Sequence, residues 1–166
     1  MSKIQEMSVT IRKGKKEDCK AALELIHELA VYEKAADQVE ISLEELEADG
    51  FGKNAIYDLL VAERDGKIIG IALYYMKYST WKGKCIYLED LIVTEQERGV
   101  GAGKMLFEEL IKIAADLNVG RMEWQVLDWN EPAIGFYKKY DAELDGEWFN
   151  AKFRREQLQE IAKKLG

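Results

Sequence analysis

The order of strand-like and helix-like segments predicts a mixed α/β fold with a central, mostly antiparallel, twisted sheet flanked by helices. Three observations carry that expectation. Asp65-Gly66 separates two β-rich runs, Tyr57 to Arg64 and Lys67 to Tyr78, and Asp-Gly between such runs marks a hairpin. After a looser turn at Ser79 to Lys84, Cys85 to Thr94 supplies the third strand of an antiparallel meander. The segment Gly101 to Asn118 then places Met105, Leu106, Leu110, Ile113, Ala114 and Leu117 on one helical face, and a glycine cluster joins it to the strand before it.

The remaining elements follow in order. Ser8 to Arg12 alternates and reads as a first strand. Lys15 to Ala36 has Ala22, Leu25, Ile26, Leu29 and Ala30 at helical spacing. Ser42 with Glu45 three residues on forms a capping box, so a short helix runs from there to Gly50-Phe51-Gly52. Arg121 to Leu127 is a strand, and Glu131 to Tyr140 a short helix with Asn130 as N-cap and Pro132 in its first turn. Gly146 to Arg154 is strand-like, and Arg155 to Leu165 is an amphipathic tail whose charges form a solvated face. The order is βααβββαβαβ plus that tail, with no internal repeat. One proline in 166 residues and no Ser-, Pro- or Gly-rich stretch predict a single domain over 1–166.

Composition narrows the function. The net charge is -7, from 31 acidic against 24 basic residues, and no basic stripe marks a nucleic-acid surface. An acidic surface serves solubility and could also steer a cationic substrate. Met1 to Thr10 lacks the apolar segment of a leader, and no run of about 18 apolar residues predicts a membrane span. Two cysteines, Cys19 and Cys85, make no disulfide framework, which points to reduced thiols and a cytoplasmic location. With His27 as the lone histidine, no metal site is expected, and His27 reads as a solvent-facing helix residue. Cys85 reads as core, and Trp81, Trp124, Trp129 and Trp148 as core residues before pocket residues.

The sharpest motif is Arg98-Gly99-Val100-Gly101-Ala102-Gly103, between a strand and an amphipathic helix. Small residues there let the backbone approach a ligand, and the N–H groups of a helix N-terminus favour a phosphate. The spacing is G-x-G-x-G, not the G-x-G-x-x-G of a dinucleotide fold, and three antiparallel elements precede it, so a Rossmann unit is not expected.

With Arg98, Gly101 and Gly103 at the Arg/Gln-x-x-Gly-x-Gly/Ala positions, the chain resembles the GNAT superfamily of acetyltransferases. It is most similar to the branch holding the spermidine/spermine and thialysine N-acetyltransferases. The resemblance covers nearly the whole chain: Ile11-Arg12, Asp18-Cys19, Glu28-Leu29-Ala30, Tyr32-Glu33, Asp49 to Gly52, Val61 to Glu63, Tyr74-Tyr75, Tyr87 to Asp90, Trp129 to Pro132 and Phe136 to Lys138. It implies acetyl-CoA as co-substrate, held by the turn Arg98, Gly99, Val100, Gly101, Ala102, Gly103 and Lys104 at the pyrophosphate. The strand Leu91, Ile92 and Val93 would pair with the acetyl-pantetheine arm, and Asn130, Pro132, Ala133 and Tyr137 would add coenzyme contacts. Tyr137 matches the general acid and Glu89 the acidic residue at the amine site, while Tyr32, Glu33, Asp90 and Trp81 fall near the substrate. A homodimer is also implied. Where the polyamine enzymes tend to have Asp-Pro before the tryptophan, this chain has Ser79-Thr80-Trp81-Lys82-Gly83, which looks more like the thialysine branch. So do Asp37-Gln38-Val39 and Leu127 to Asn130, and a lysine-like amine or a diamine becomes the expected substrate.

The chemistry fits those residue types. A lysine-type amine, with pKa of roughly 10.4, arrives protonated and must lose a proton before it attacks a thioester. A carboxylate at Glu89 could bind the cation or accept the proton through water. Glu89 and Asp90 are adjacent on a strand and face opposite sides unless a bulge intervenes. A backbone N–H near Val93 could stabilise the oxyanion, and the Tyr137 phenol could protonate the leaving thiolate. Two other readings stay open: acetylation of protein or peptide lysines, and a non-catalytic acyl-CoA-binding module.

Overall fold

The computed structural model describes residues 8–166; most of the N-terminal stretch read for a leader, up to Met7, lies outside them. The residues up to Gln125 form one compact unit and Val126–Gly166 a second.

The first unit is built on a five-stranded sheet in the order β1-β2-β3-β4-β5. The strands are β1 Thr10–Lys13, β2 Asp58–Arg64, β3 Lys67–Ser79, β4 Gly83–Val93 and β5 Arg121–Trp124. β1 to β4 are antiparallel, while β5 lies parallel to β4 and is reached through a helix, as a parallel pair requires. The predicted hairpin is present: Arg64 pairs with Lys67, and Asp65 and Gly66 both take positive φ, at 52° and 70°. That left-handed pair matches the twist of the flanking strands.

Three helices cover the sheet: α1 Cys19–Tyr32, α2 Leu43–Phe51 and α3 Ala102–Asp116. On one face, Cys19, Ala22 and Leu25 of α1 and Leu46 of α2 meet Leu59, Val61, Ile71, Leu73 and Ile92 in one buried cluster. The other face is closed by α3, whose Leu106, Phe107 and Leu110 are fully buried; Phe107 meets Trp124 edge-on. Cys85 is buried in β4, as its sequence context suggested, and His27 is exposed on α1.

α1 starts later than its apolar spacing indicated, at Cys19 instead of Lys15. The Asp18 carboxylate accepts from the Lys15 N–H at 2.7 Å and from Arg12 at 2.8 and 3.0 Å, which holds residues 16–18 in a 3₁₀ turn. The helix ends at Tyr32 because Lys34 turns left-handed, at φ 60°. The capping box at Ser42 is as expected: its hydroxyl accepts from the Glu45 N–H at 3.1 Å, and the Glu45 carboxylate accepts in return from the Ser42 N–H at 3.2 Å.

Gly50 on α2 faces the Tyr57 ring, and a Cβ there would sit 2.2 Å from it. The Tyr57 hydroxyl donates to the Leu46 carbonyl, so the ring is tethered and cannot swing away. Gly50→Ala is therefore expected to destabilise the fold by about 1–3 kcal/mol through overpacking, despite alanine's better helix propensity. Urea unfolding checks this, and equal or greater stability of the variant would contradict it.

The second unit holds α4 Glu131–Lys138 and α5 Arg155–Leu165. Asn130 caps α4 by accepting from the Ala133 N–H at 3.4 Å, and Pro132 lies in its first turn. The strand expected at Gly146 to Arg154 does not form. No strand lies within this unit, and an isolated extended segment has no ladder partner for its N–H and C=O groups. Three of the four tryptophans also depart from the core reading: Trp81, Trp129 and Trp148 are 81%, 43% and 76% exposed. Trp81 lies in the turn between β3 and β4. No helix among the described residues is long and apolar enough to cross a membrane.

Candidate active site

The middle of β4 departs from regular pairing. Tyr74 pairs with Leu88, but Leu73 pairs with Asp90, so Glu89 is an extra residue. A bulge of this kind puts consecutive side chains on one face instead of opposite ones. Glu89 and Asp90 accordingly lie close enough to repel, and Glu33, just past the C-terminus of α1, adds a third carboxylate. Burial, then the charges of Glu89 and Glu33, push the Asp90 carboxyl up to about 6. Burial also raises Glu33. Glu89 itself is exposed, and its Oε2 accepts from the Tyr75 hydroxyl at 3.1 Å.

The bulge sits where the parallel ladder ends. β5 pairs with β4 only from Cys85 to Leu88, so among the described residues no strand flanks Glu89, Asp90, Leu91, Ile92 or Val93 on that side. Among the described residues, their backbone groups on that side have no ladder partner, the state that receives an added strand or an extended ligand. Beyond Val93, an open cleft of about 320 Å³ is lined by Tyr32, Val31, Leu29 and Glu28 of α1 and by Ile92, Val93, Glu95 and Arg98. The Arg98 guanidinium lies over the Tyr32 ring, 5.8 Å from its centroid. Glu28 ties α1 to this end of β4, accepting from the Glu95 N–H at 2.8 Å and the Thr94 hydroxyl at 3.3 Å.

The glycine turn follows at once. Gly99 and Gly101 have φ of 93° and 83°, a region that side chains with a Cβ rarely enter. Space is not the constraint at these two, since a Cβ would meet nothing within 4 Å; the backbone path is. Gly101 is the N-cap of α3, and the ladder begins with Met105 N–H to the Gly101 carbonyl at 3.0 Å. The N–H groups of Ala102, Gly103 and Lys104 precede that ladder and point along the helix axis, the arrangement that receives a phosphate. Extended edge and helix N-terminus together suit a ligand with an amide-bearing arm and a pyrophosphate, which is the chemistry of coenzyme A.

The residues singled out in the sequence thus fall into groups. Glu33, Glu89 and Asp90 form one acidic cluster; Tyr32, Ile92, Val93 and Arg98 line one cleft. Leu91 lies on the open edge between them, and Gly99, Val100, Gly101, Ala102, Gly103 and Lys104 form the turn. Trp81 lies at the far end of β4, six residues and roughly 20 Å along the strand from Glu89, counting from Gly83. Asn130, Pro132, Ala133 and Tyr137 belong to the second unit, where Tyr137 is buried on α4 with its ring edge-on to Phe136 at 5.3 Å. Sequence reasoning assigned no role to Tyr75 and Tyr87, which flank Glu89. For Tyr75 the signal was its alternation with Lys77, which puts polar groups on one face of a largely apolar strand.

Comparison with known proteins agrees with this geometry. The family model described as "Acetyltransferase (GNAT) family" matches residues 18–141. The chain is 42% identical to the thialysine N-epsilon-acetyltransferase of Bos taurus, over 94% of this chain and 98% of that one. It is 36% identical to the spermidine/spermine N(1)-acetyltransferase-like protein 1 of Homo sapiens, over 92% of this chain and 23% of that protein. Among solved structures, the V. cholerae integron cassette protein VCH_CASS6 superposes with a TM-score of 0.76 at 28% identity, covering 95% of this chain and 99% of that one. A sheet left open beside a bulged strand, a glycine turn into a helix and a family match over most of the chain converge: this protein belongs to the GNAT acetyltransferase family and is an N-acetyltransferase enzyme.

Proposed function

We propose that the enzyme acetylates a primary amine of a small cationic metabolite, with a lysine-like amine or a diamine favoured over a long polyamine. The observation that carries this is the cluster of Glu33, Asp90 and Glu89 beside the open edge of β4. Three carboxylates repel one another and gain most from an arriving ammonium group. The names of the similar proteins, which act on thialysine or carry the spermidine/spermine label, support the same class.

Acetyl-CoA supplies the activated acetyl group. The open edge from Leu91 to Val93 holds the pantetheine arm, and the turn Arg98 to Lys104, with the first N–H groups of α3, holds the pyrophosphate. Asn130, Pro132 and Ala133 add contacts. Tyr32 and Glu33 border the amine. Glu89 binds the ammonium and, directly or through water, takes its proton; Asp90, with its carboxyl near the working pH, is a second acceptor. Tyr137 protonates the departing thiolate. The reading extends to one functional domain, 1–166, working as a cytoplasmic homodimer, and the family match running unbroken from 18 to 141 supports the single domain.

Free-thiol release from acetyl-CoA over a panel of spermidine, spermine, putrescine, thialysine, lysine and a lysine peptide tests this. Turnover of a small amine is the expected result. Peptide-only turnover would move the protein to the protein-acetylating class, and tight coenzyme binding without thiol release would make it a binding module.

A further inference from the structure

From Glu89 a continuous chain of contacts runs away from the open edge, toward the β3–β4 turn. Tyr75 donates to Glu89, and its ring packs on Tyr87 with centroids 5.4 Å apart. The Lys77 ammonium lies over the Tyr87 ring, 5.5 Å from its centroid, and 3.0 Å from Glu123 Oε2. Arg121 Nε approaches the other Glu123 oxygen at 3.4 Å, and its Nη2 donates to the Ser79 hydroxyl at 2.8 Å. One face of the sheet thus carries an acidic pole at Glu33, Asp90 and Glu89, two tyrosine rings, and then a pole of mixed charge.

The second pole is unusual for a site that takes cations. A site for diamines or polyamines would have acids at both ends; here a lysine and an arginine stand where the far end of the substrate falls. Lys77 and Arg121 are nearly half exposed, and Glu123 is mostly buried. Glu123 Oε2 has the Lys77 charge beside it but, among the described residues, no donor aligned for a hydrogen bond. That oxygen is buried, so Glu123 anchors the two cations and leaves them to meet a carboxylate.

We propose that Lys77 and Arg121, held by Glu123, form a recognition pole for the α-carboxylate of an amino-acid substrate whose terminal amine is acetylated at Glu89 and Asp90. This deepens the amine-acetylation reading above and rests on it. The substrate carboxylate pairs with Lys77 and Arg121, which Glu123 holds side by side. The spacing fits. Glu123 stands opposite Tyr87 in the ladder, two residues and roughly 7 Å along β4 from Glu89. The five bonds from the α-carbon to the terminal nitrogen of a lysine-length side chain, of about 1.5 Å each, span roughly 6 Å when extended. The tyrosine rings would flank the methylenes or thioether between the poles. A diamine of the same length brings a second cation against Lys77 and is disfavoured, so the pair selects by repulsion as well as by attraction.

The test compares L-lysine and L-thialysine with cadaverine, the decarboxylated counterpart of lysine, on wild type, Lys77→Met and Lys77→Arg. Wild type is expected to favour the amino acids. In Lys77→Met the ratio of kcat/KM for L-lysine over that for cadaverine is expected to fall about 10- to 100-fold, the worth of one charge-assisted contact, through a higher KM for the amino acid. Lys77→Arg restores most of the ratio. An unchanged ratio in Lys77→Met, or a wild type that takes cadaverine as well as L-lysine, would overturn the proposal and leave amine acetylation standing. Failure of wild type to turn over any of the three amines would remove the amine reading and this proposal with it.

Discussion

Replacing Asp90 with asparagine is expected to stabilise the folded protein at pH 7.5 while lowering its activity. The Asp90 carboxyl is held at about 6 in the fold, first by burial and then by Glu89 and Glu33, against 3.8 for an unperturbed aspartate. A raised value means that the folded state keeps a proton which the unfolded chain has already lost. The stability Asp90 contributes is therefore fully present below about 3.8 and is lost as pH rises through about 6. The gap between those two values corresponds to a deficit of at most about 3 kcal/mol at neutral pH. Asparagine has the same shape and no charge to desolvate, so Asp90→Asn should gain about 1–3 kcal/mol at pH 7.5, a rise of several degrees in Tm, and almost nothing at pH 4. Its kcat/KM for the amine should drop, because one of three carboxylates facing the cation is gone. In wild type the KM for the amine should climb as pH falls through about 6, where Asp90 gains its proton. Thermal unfolding at the two pH values settles the stability half. An Asp90→Asn variant no more stable at pH 7.5 than at pH 4, relative to wild type, would mean that this carboxyl is not strained. Stability held below its maximum at an active site is a common exchange for function.

Tyr137→Phe should lower kcat by about 10²- to 10⁴-fold, the usual worth of general acid catalysis, with little change in the KM for acetyl-CoA or amine. Phenylalanine keeps the ring that meets Phe136 edge-on, so the fold of the short α4 helix should survive. The deficit should depend on the leaving group. The coenzyme thiol, with a pKa near about 8.5, departs more easily with a proton, while a donor built on a more acidic thiol needs the acid less. Steady-state rates with acetyl-CoA and with such an activated thioester would separate the roles. A deficit that stays the same for both donors would point to Tyr137 as a positioning residue and not the acid.

Local signals were legible wherever a short stretch of chain specifies its own conformation. Ser42 and Glu45 cap each other, Asp65-Gly66 turns a hairpin, and Gly99 and Gly101 adopt left-handed φ within the glycine cluster. What could not be read depends on distant partners. No glycine or proline marks the extra residue at Glu89; its position follows from how β3 registers against β4 over ten pairs. The run Gly146 to Arg154 has strand composition, but composition supplies no neighbour to bond with. The late start of α1 depends on an ion pair between Arg12 and Asp18, which apolar spacing does not register. In the candidate site, resemblance supplied the acids and the turn. The tyrosine bridge and the Lys77–Glu123 pair emerged only when three strands were laid side by side.

The unpaired residue in β4 leaves the inward and outward pattern of the strand intact on both sides of it. Before it, Leu88 is buried on the α3 side; after it, Ile92 joins the core under α1 and α2. Striking out Glu89 would leave Leu88 next to Asp90 in unbroken alternation, with every later side chain still on its present face. The ladder can be spelled without that letter. The alternation of β4 therefore does not depend on Glu89, and exchanging that residue leaves the two buried faces of the strand as they are.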